Sequence, residues 1–161
     1  MKRRAMVLAG AAVAGLIAIA ALAQKQDGEA RVDGVTFLGE PVTATEIALG
    51  QDLYAANCAS CHGASLEGQP DWRRRRNNGR LPAPPHDETG HTWHHSDQDL
   101  FKITRSGVEA VVPDYESDMP AFEGILTDAE IRAVLAHIKS TWPERERAVQ
   151  AKITANDEGG S

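Results

Sequence analysis

The chain has 161 residues, 42% of them hydrophobic and 25% charged, with 17 basic against 23 acidic side chains and a net charge of −6. Three of the basic residues, Lys2, Arg3 and Arg4, stand at the extreme N-terminus, and without them the balance falls to about −9. Such acidity supports a soluble domain, argues against nucleic acid as a partner, and suits partners with basic docking faces whose association depends on salt.

The N-terminus reads as an export signal. Behind the basic Lys2-Arg3-Arg4, the stretch from Ala5 to Ala23 carries no charge, and Ala21-Leu22-Ala23 before Gln24 has the small-x-small form of a cleavage site. At about 1.5 Å per residue the apolar run spans roughly 28 Å, close to a bilayer core. Residues 1–23 are therefore a signal peptide or an uncleaved membrane anchor. In either case the basic end stays in the cytoplasm and the remainder faces outward, on the periplasmic side. Residues 24–42, with Asp27-Gly28-Glu29 and little periodicity, read as a polar tether.

From residue 43 the pattern becomes helical. Thr43-Ala44-Thr45-Glu46 is a capping box, and Ile47, Gly50, Leu53, Tyr54 and Cys58 then share one broad face, with Gly50 allowing a second helix to approach closely. This helix runs into Cys58-Ala59-Ser60-Cys61-His62, which contains both cysteines of the chain. A C-x-x-C-H run is the attachment sequence for c-type haem. Cysteines at i and i+3 lie on one side of a helical turn, where two sulfurs can bond the two vinyl groups on one edge of a porphyrin. The following histidine then lies under the ring as the proximal iron ligand. A redox C-x-x-C lacks its βαβ context here, and a zinc site lacks two further placed ligands. One motif implies one covalent haem c per chain, bound through Cys58 and Cys61.

Beyond the motif, Trp72 is followed by Arg73-Arg74-Arg75-Arg76, Asn77-Asn78-Gly79 and Leu81-Pro82-Ala83-Pro84-Pro85. The arginine run reads first as a solvated loop, with contact to haem propionates or to a redox partner as the rival readings. His86, His91, His94 and His95 are four of the six histidines, packed within ten residues. They read as haem-edge or solvent-facing groups, with a copper or zinc site as the rival. A middle helix is predicted from a Ser96 cap through Leu100, Phe101 and Ile103 to a Gly107 stop. Met119, in Asp118-Met119-Pro120-Ala121-Phe122, is the only one of three methionines outside the export segment, and its thioether is the candidate sixth ligand. The bland alternative is a gap-filling core methionine. The last helix opens on the capping box Thr127-Asp128-Ala129-Glu130 and carries an apolar stripe at Ile131, Val134, Leu135, Ile138 and Trp142 before Pro143. Residues 43–143 thus form one all-α domain, and 144–161 a polar C-terminal tail read as a solvated helix extension.

Over about residues 43–143 these features resemble the class I, or mitochondrial-type, c-type cytochromes. The resemblance rests on Gly50 and Tyr54 ahead of Cys58-Ala59-Ser60-Cys61-His62-Gly63, on Asp118-Met119-Pro120-Ala121-Phe122, and on a final helix carrying Trp142. It implies N- and C-terminal helices packed around the haem, and a proline carbonyl accepting the proximal histidine's second N–H. Pro82, Pro84 and Pro85 are the candidates for that carbonyl. The cytochrome c′ type, with its haem motif near the C-terminus, does not fit a chain in which about 100 residues follow the motif.

The function expected is a one-electron carrier, not an enzyme, with His62 and Met119 on the iron, linking a respiratory membrane complex or periplasmic dehydrogenase to an acceptor. Two other functions stay open: a haem-based gas sensor or peroxidase-like enzyme with a labile sixth ligand, and the cytochrome subunit of a larger dehydrogenase. No Ser/His/Asp set or phosphate-binding glycine loop supports a second chemistry.

Overall fold

The computed structural model describes residues 30–158. The signal or anchor segment and the first part of the tether lie outside the described residues. In chain order the elements are β1 (Arg31–Phe37), β2 (Glu40–Thr43), α1 (Ala44–Asn57), α2 (Ala59–His62), a 3-10 turn at Thr92–His94, α3 (Asp97–Ser106), a second 3-10 turn at Val108–Ala110, α4 (Asp128–Thr141) and α5 (Glu144–Glu158). Helices dominate, as expected, and none of them is long and apolar enough to cross a membrane among the described residues.

The predicted helix boundaries follow from their caps. Thr43 accepts from the Glu46 amide, Ser96 from the Asp99 amide, and Thr127 from the Glu130 amide. Only the last is a reciprocal capping box. In α1 the Glu46 carboxylate turns instead to Arg132 of α4, forming a cross-helix ion pair. Helix α3 stops at Gly107, whose φ of +90° breaks the helical path while its N–H still reaches the Ile103 carbonyl.

The central contact is between α1 and α4. At Gly50 an added Cβ would lie 2.0 Å from the Ala133 carbonyl oxygen, so the two backbones meet at a point that admits no side chain. Around it the α4 stripe is buried as its spacing predicts: Ile131, Val134, Leu135, Ile138 and Trp142 are all core residues, joined by Tyr54 of α1, Leu100 of α3, and Leu66 and Phe122 from the loops.

Two segments outside the predicted domain belong to the packed structure. Residues 31–42, expected to be the end of the tether, form with the cap residue Thr43 an antiparallel hairpin pairing Arg31 with Thr43, Thr36 with Pro41 and Phe37 with Glu40. Its two-residue turn, Leu38-Gly39, has positive φ at both positions (51° and 78°), which suits the right-handed twist of a tight hairpin. Alternation puts Val35 and Phe37 on one face, and with Val42 they are sealed in the core. The expected solvated tail is helix α5, whose Glu146, Gln150 and Thr154 are buried at i, i+4 and i+8.

That polar helix face packs because it meets a buried ion pair. Lys139 Nζ of α4 lies 2.9 and 3.1 Å from the two oxygens of Asp97, both side chains at most 5% exposed. Asp97 also accepts from Gln150 Nε2 (2.7 Å) and from the Leu38 amide at the hairpin turn (2.9 Å), and its own amide donates to Thr154 Oγ1 (3.1 Å). One carboxylate therefore ties β1, α3, α4 and α5 together, with its lone pairs satisfied and its charge matched. Burial still pushes the Lys139 ammonium below its ordinary range, with the Asp97 carboxylate acting in the opposite direction.

Lys139→Met should leave that buried carboxylate without its cation and destabilise the protein by about 3 kcal/mol. Urea unfolding of the haem-loaded protein reads this directly; a loss under about 1 kcal/mol would show that the cluster contributes little.

Candidate haem site

The haem-binding turn is built at the end of α1. The Cys58 amide donates to the Tyr54 carbonyl (2.9 Å), and the Cys58 carbonyl then accepts from Cys61 (3.1 Å) and His62 (2.9 Å). The turn presents both sulfurs one helical turn apart, as two bonds to a single porphyrin edge require. The two cysteines are not joined to each other; Cys58 is half-buried and Cys61 exposed. Burial first, and the neighbouring Cys61 second, pushes the Cys58 thiol up to about 11, so it is a neutral thiol near pH 7. Behind the turn, Tyr54 Oη donates to the Gly63 carbonyl (2.9 Å), locking the exit from α2 to α1. Burial above all, with the carboxylates of Glu67 and Asp87 as smaller causes, raises the Tyr54 phenol far above its ordinary range, so it remains a donor.

His62 is only 7% exposed. Its Nδ1 lies 2.8 Å from the Pro84 carbonyl oxygen, which can only accept. Nδ1 therefore carries the proton, and Nε2 keeps its lone pair for a metal. Burial lowers the imidazole's pKa, partly opposed by the Pro84 hydrogen bond, and favours the neutral form that ligates iron. Of the three candidate prolines, the structure selects Pro84.

The Pro84 segment is held from several sides. The Gly68 amide donates to the His62 carbonyl (2.7 Å), Gln69 to Ala83 (2.9 Å) and His86 to Leu66 (2.8 Å), closing residues 62–86 into a rigid loop. At Gly68 the chain passes so close to Pro85 that an added Cβ would be 2.4 Å from its nitrogen. From the far side, Trp142 Nε1 donates to the His86 carbonyl (2.7 Å). Sequence spacing identifies Trp142 as a buried stripe residue; its hydrogen bond to the proximal loop has no signature in that spacing.

The four clustered histidines separate into two groups. His86 stacks face to face on His62 with ring centroids 3.9 Å apart, and its Nδ1 meets Thr92 Oγ1 at 2.7 Å. Burial first, then His62, holds His86 well below its ordinary pKa. Its place against the proximal ring keeps it from being the ligand opposite His62. His91, His94 and His95 gather beside Trp93, with His91 5.0 Å from both His94 and His95. Among the described residues no group of three or more His, Cys, Asp or Glu side chains is placed to hold a metal ion, so the copper or zinc reading gains no support.

Met119 lies in the long loop between α3 and α4, half-buried and packed against the core cluster. Its amide donates to Ser117 Oγ (3.0 Å). Three residues later the loop is pinned to the end of α3, where the Phe122 and Glu123 amides donate to the Thr104 (3.1 Å) and Arg105 (2.9 Å) carbonyls. Paired sulfurs on one turn, a buried neutral imidazole with Nε2 unprotonated, and a soft thioether at the core margin together fit a covalently held haem.

Comparison with known proteins agrees. A family model described as Cytochrome c matches residues 47–142. A cytochrome c6 of Picosynechococcus sp. is 32% identical over 105 residues, covering 65% of this chain and 80% of the relative. A cytochrome c6 of Tetradesmus obliquus is 30% identical over 98 residues, covering 59% of this chain and 90% of the relative. No solved structure gives a match of comparable significance.

Acidified acetone should leave the haem on the protein, and the intact mass should exceed that of the polypeptide by one haem. In a Cys58→Ala/Cys61→Ala variant any bound haem should extract completely. Release of haem from the unaltered protein would contradict attachment at this turn.

Proposed function

Because the chain belongs to the cytochrome c family and carries one covalent haem c through Cys58 and Cys61, we propose that His62 and Met119 are its axial ligands and that it shuttles single electrons between redox partner proteins. The observation that carries this reading is the His62 to Pro84 hydrogen bond of 2.8 Å, which fixes a neutral, correctly turned imidazole before any ligand arrives.

Bound haem supplies a one-electron couple. The chain's own residues tune and protect it. The Pro84 carbonyl makes the His62 ring more basic and stops it turning. A Met119 thioether, being a soft donor, favours the reduced iron over what a second imidazole would give and places the potential toward the positive part of the roughly 0.8 V span of haem ligation. An apolar core that includes Leu66, Leu100 and Phe122 lies within the same domain, and apolar surroundings of a haem disfavour the more highly charged oxidised state. His62 ends the short helix α2 and is held by Pro84, and Met119 lies in a loop pinned to the end of α3, so neither has to move when charge changes.

The setting we propose is the outer side of a bacterial cytoplasmic membrane, reached by the export segment at residues 1–23, attached or released according to whether Ala23-Gln24 is cut. The donor is a respiratory membrane complex or periplasmic dehydrogenase, met through a basic docking face that complements the charge of about −9 left without Lys2, Arg3 and Arg4.

The reduced protein should be low-spin and refuse carbon monoxide. Met119→Ala should lower the potential by on the order of 0.2 V and let carbon monoxide bind. An unaltered protein that is high-spin and binds carbon monoxide readily would replace the carrier with a gas sensor or peroxidase-like enzyme.

A further inference from the structure

The run Arg73–Arg76 was expected to be a solvated loop; Arg73 turns to Trp72 and the Thr89 carbonyl, whereas Arg75 and Arg76, joined by Arg80 just beyond the run, face one short segment. Arg80 Nη1 lies 2.6 Å from Asp118 Oδ1, and Arg80 Nε 3.7 Å from Glu116 Oε2. Arg76 Nη1 approaches the other Asp118 oxygen at 3.6 Å. The Arg75 guanidinium stands 5.7 Å from the centre of the Tyr115 ring. All the groups contacted fall within residues 115–118, immediately before Met119.

The grip is prearranged. The Gly79 amide donates to the Arg76 carbonyl and the Arg76 amide to the Arg80 carbonyl, both at 2.9 Å, closing a tight turn. Asn78 Oδ1 accepts from the Arg80 amide (3.1 Å), Arg75 Nη1 donates to the Gly79 carbonyl (2.6 Å) and Arg76 Nη2 to Gln69 Oε1 (2.8 Å). Gln69 in turn bonds Ala83, in the loop that ends at Pro84. The turn carrying Arg76 and Arg80 is thus continuous with the segment that orients His62. On its other side Met119 is already pinned through Phe122 and Glu123 to the end of α3. Ahead of Met119 the shortest anchor is Asp118, with Glu116 and Tyr115 as longer contacts.

We propose that Arg80, supported by Arg76, is a positioning residue for the sixth ligand: it straps Asp118 to the proximal loop and so holds the Met119 backbone where its sulfur serves the iron. The inference rests on Met119 being that ligand. Arg80 and Asp118 have side chains 38% and 47% exposed, so a lone pair of this kind would be weak and screened by salt. Three features raise its effect: Asp118 receives two guanidiniums, Arg80 spans two carboxylates, and the turn behind them is fixed. The strap acts on the balance between bound and released thioether, a local equilibrium that costs far less to shift than global unfolding.

Imidazole reads that balance, because it reaches ferric iron only when the thioether has left, and its apparent affinity scales with the fraction opened. Arg80→Ala and Asp118→Ala should each raise the imidazole affinity of the ferric protein about fivefold. The double variant should show less than the product of the two single effects, because the two changes share the Arg80–Asp118 contact. Arg80→Lys should restore most of the loss, and salt should raise the affinity of the unaltered protein more than that of Arg80→Ala. Unchanged affinity in both single variants, or a gain that Arg80→Lys does not reverse and that follows an equal loss of stability to urea, would overturn the strap. The near-infrared sulfur-to-iron band of the unaltered ferric protein separates this from the underlying reading. Its absence would remove Met119 as ligand and the strap with it; its presence with unmoved imidazole affinity would remove the strap alone.

Discussion

An imidazole offers two nitrogens, and the 2.8 Å contact from His62 Nδ1 to the Pro84 carbonyl commits one of them as donor. Everything else at the site can be traced to keeping that contact in place. The Cys58 turn fixes where His62 begins, the ladder between residues 62–69 and 83–86 fixes where Pro84 lies, and Trp142 reaches across from the end of α4 to hold the His86 carbonyl. A main-chain acceptor serves better here than a side chain, since it has no rotamers to lose and its position is set by the whole loop. The close crossing of α1 and α4 at Gly50 belongs to the same frame, since α1 leads into the Cys58 turn and α4 ends at Trp142.

The buried Lys139–Asp97 pair solves a different problem. A two-helix contact leaves the outer sides of α3 and α4 uncovered, and this chain covers them with the hairpin and α5. Both additions are joined by hydrogen bonds to the same carboxylate, at Leu38 and Gln150. A buried ion pair of this sort contributes little net stability compared with apolar packing, but leaving either charge without its partner is costly.

What was legible in the sequence was local and periodic. Caps at Thr43, Ser96 and Thr127, the stop at Gly107 and the stripe from Ile131 to Trp142 are set by neighbouring residues within one turn, so α1, α3 and α4 fall where they were expected. The hairpin was missed although its signal is present: Val35 and Phe37 alternate ahead of Leu38-Gly39, but the acidic stretch before them resembles a linker, and β1 shows only one buried face. Helix α5 was read as solvated because its buried residues are polar, and nothing in Gln150 and Thr154 reveals that Asp97 awaits them. The choice of Pro84 depends on the path of a loop, and the Arg80 to Asp118 contact joins residues 38 apart in sequence. Such contacts leave no periodic trace.

Taken together, His62 is fixed on one side by the Pro84 carbonyl, and the loop that carries Met119 is pinned to the end of α3. This is suited to a centre that changes charge without changing shape, which keeps the cost of each electron transfer small. Proton magnetic resonance of the reduced protein tests the claim most directly, because a methionine methyl fixed above a haem face is displaced far upfield by the ring current. The account predicts one such three-proton signal, lost on replacing Met119. A reduced protein without it, showing instead the broad shifted lines of high-spin iron, would contradict the assignment of Met119 and with it the carrier function.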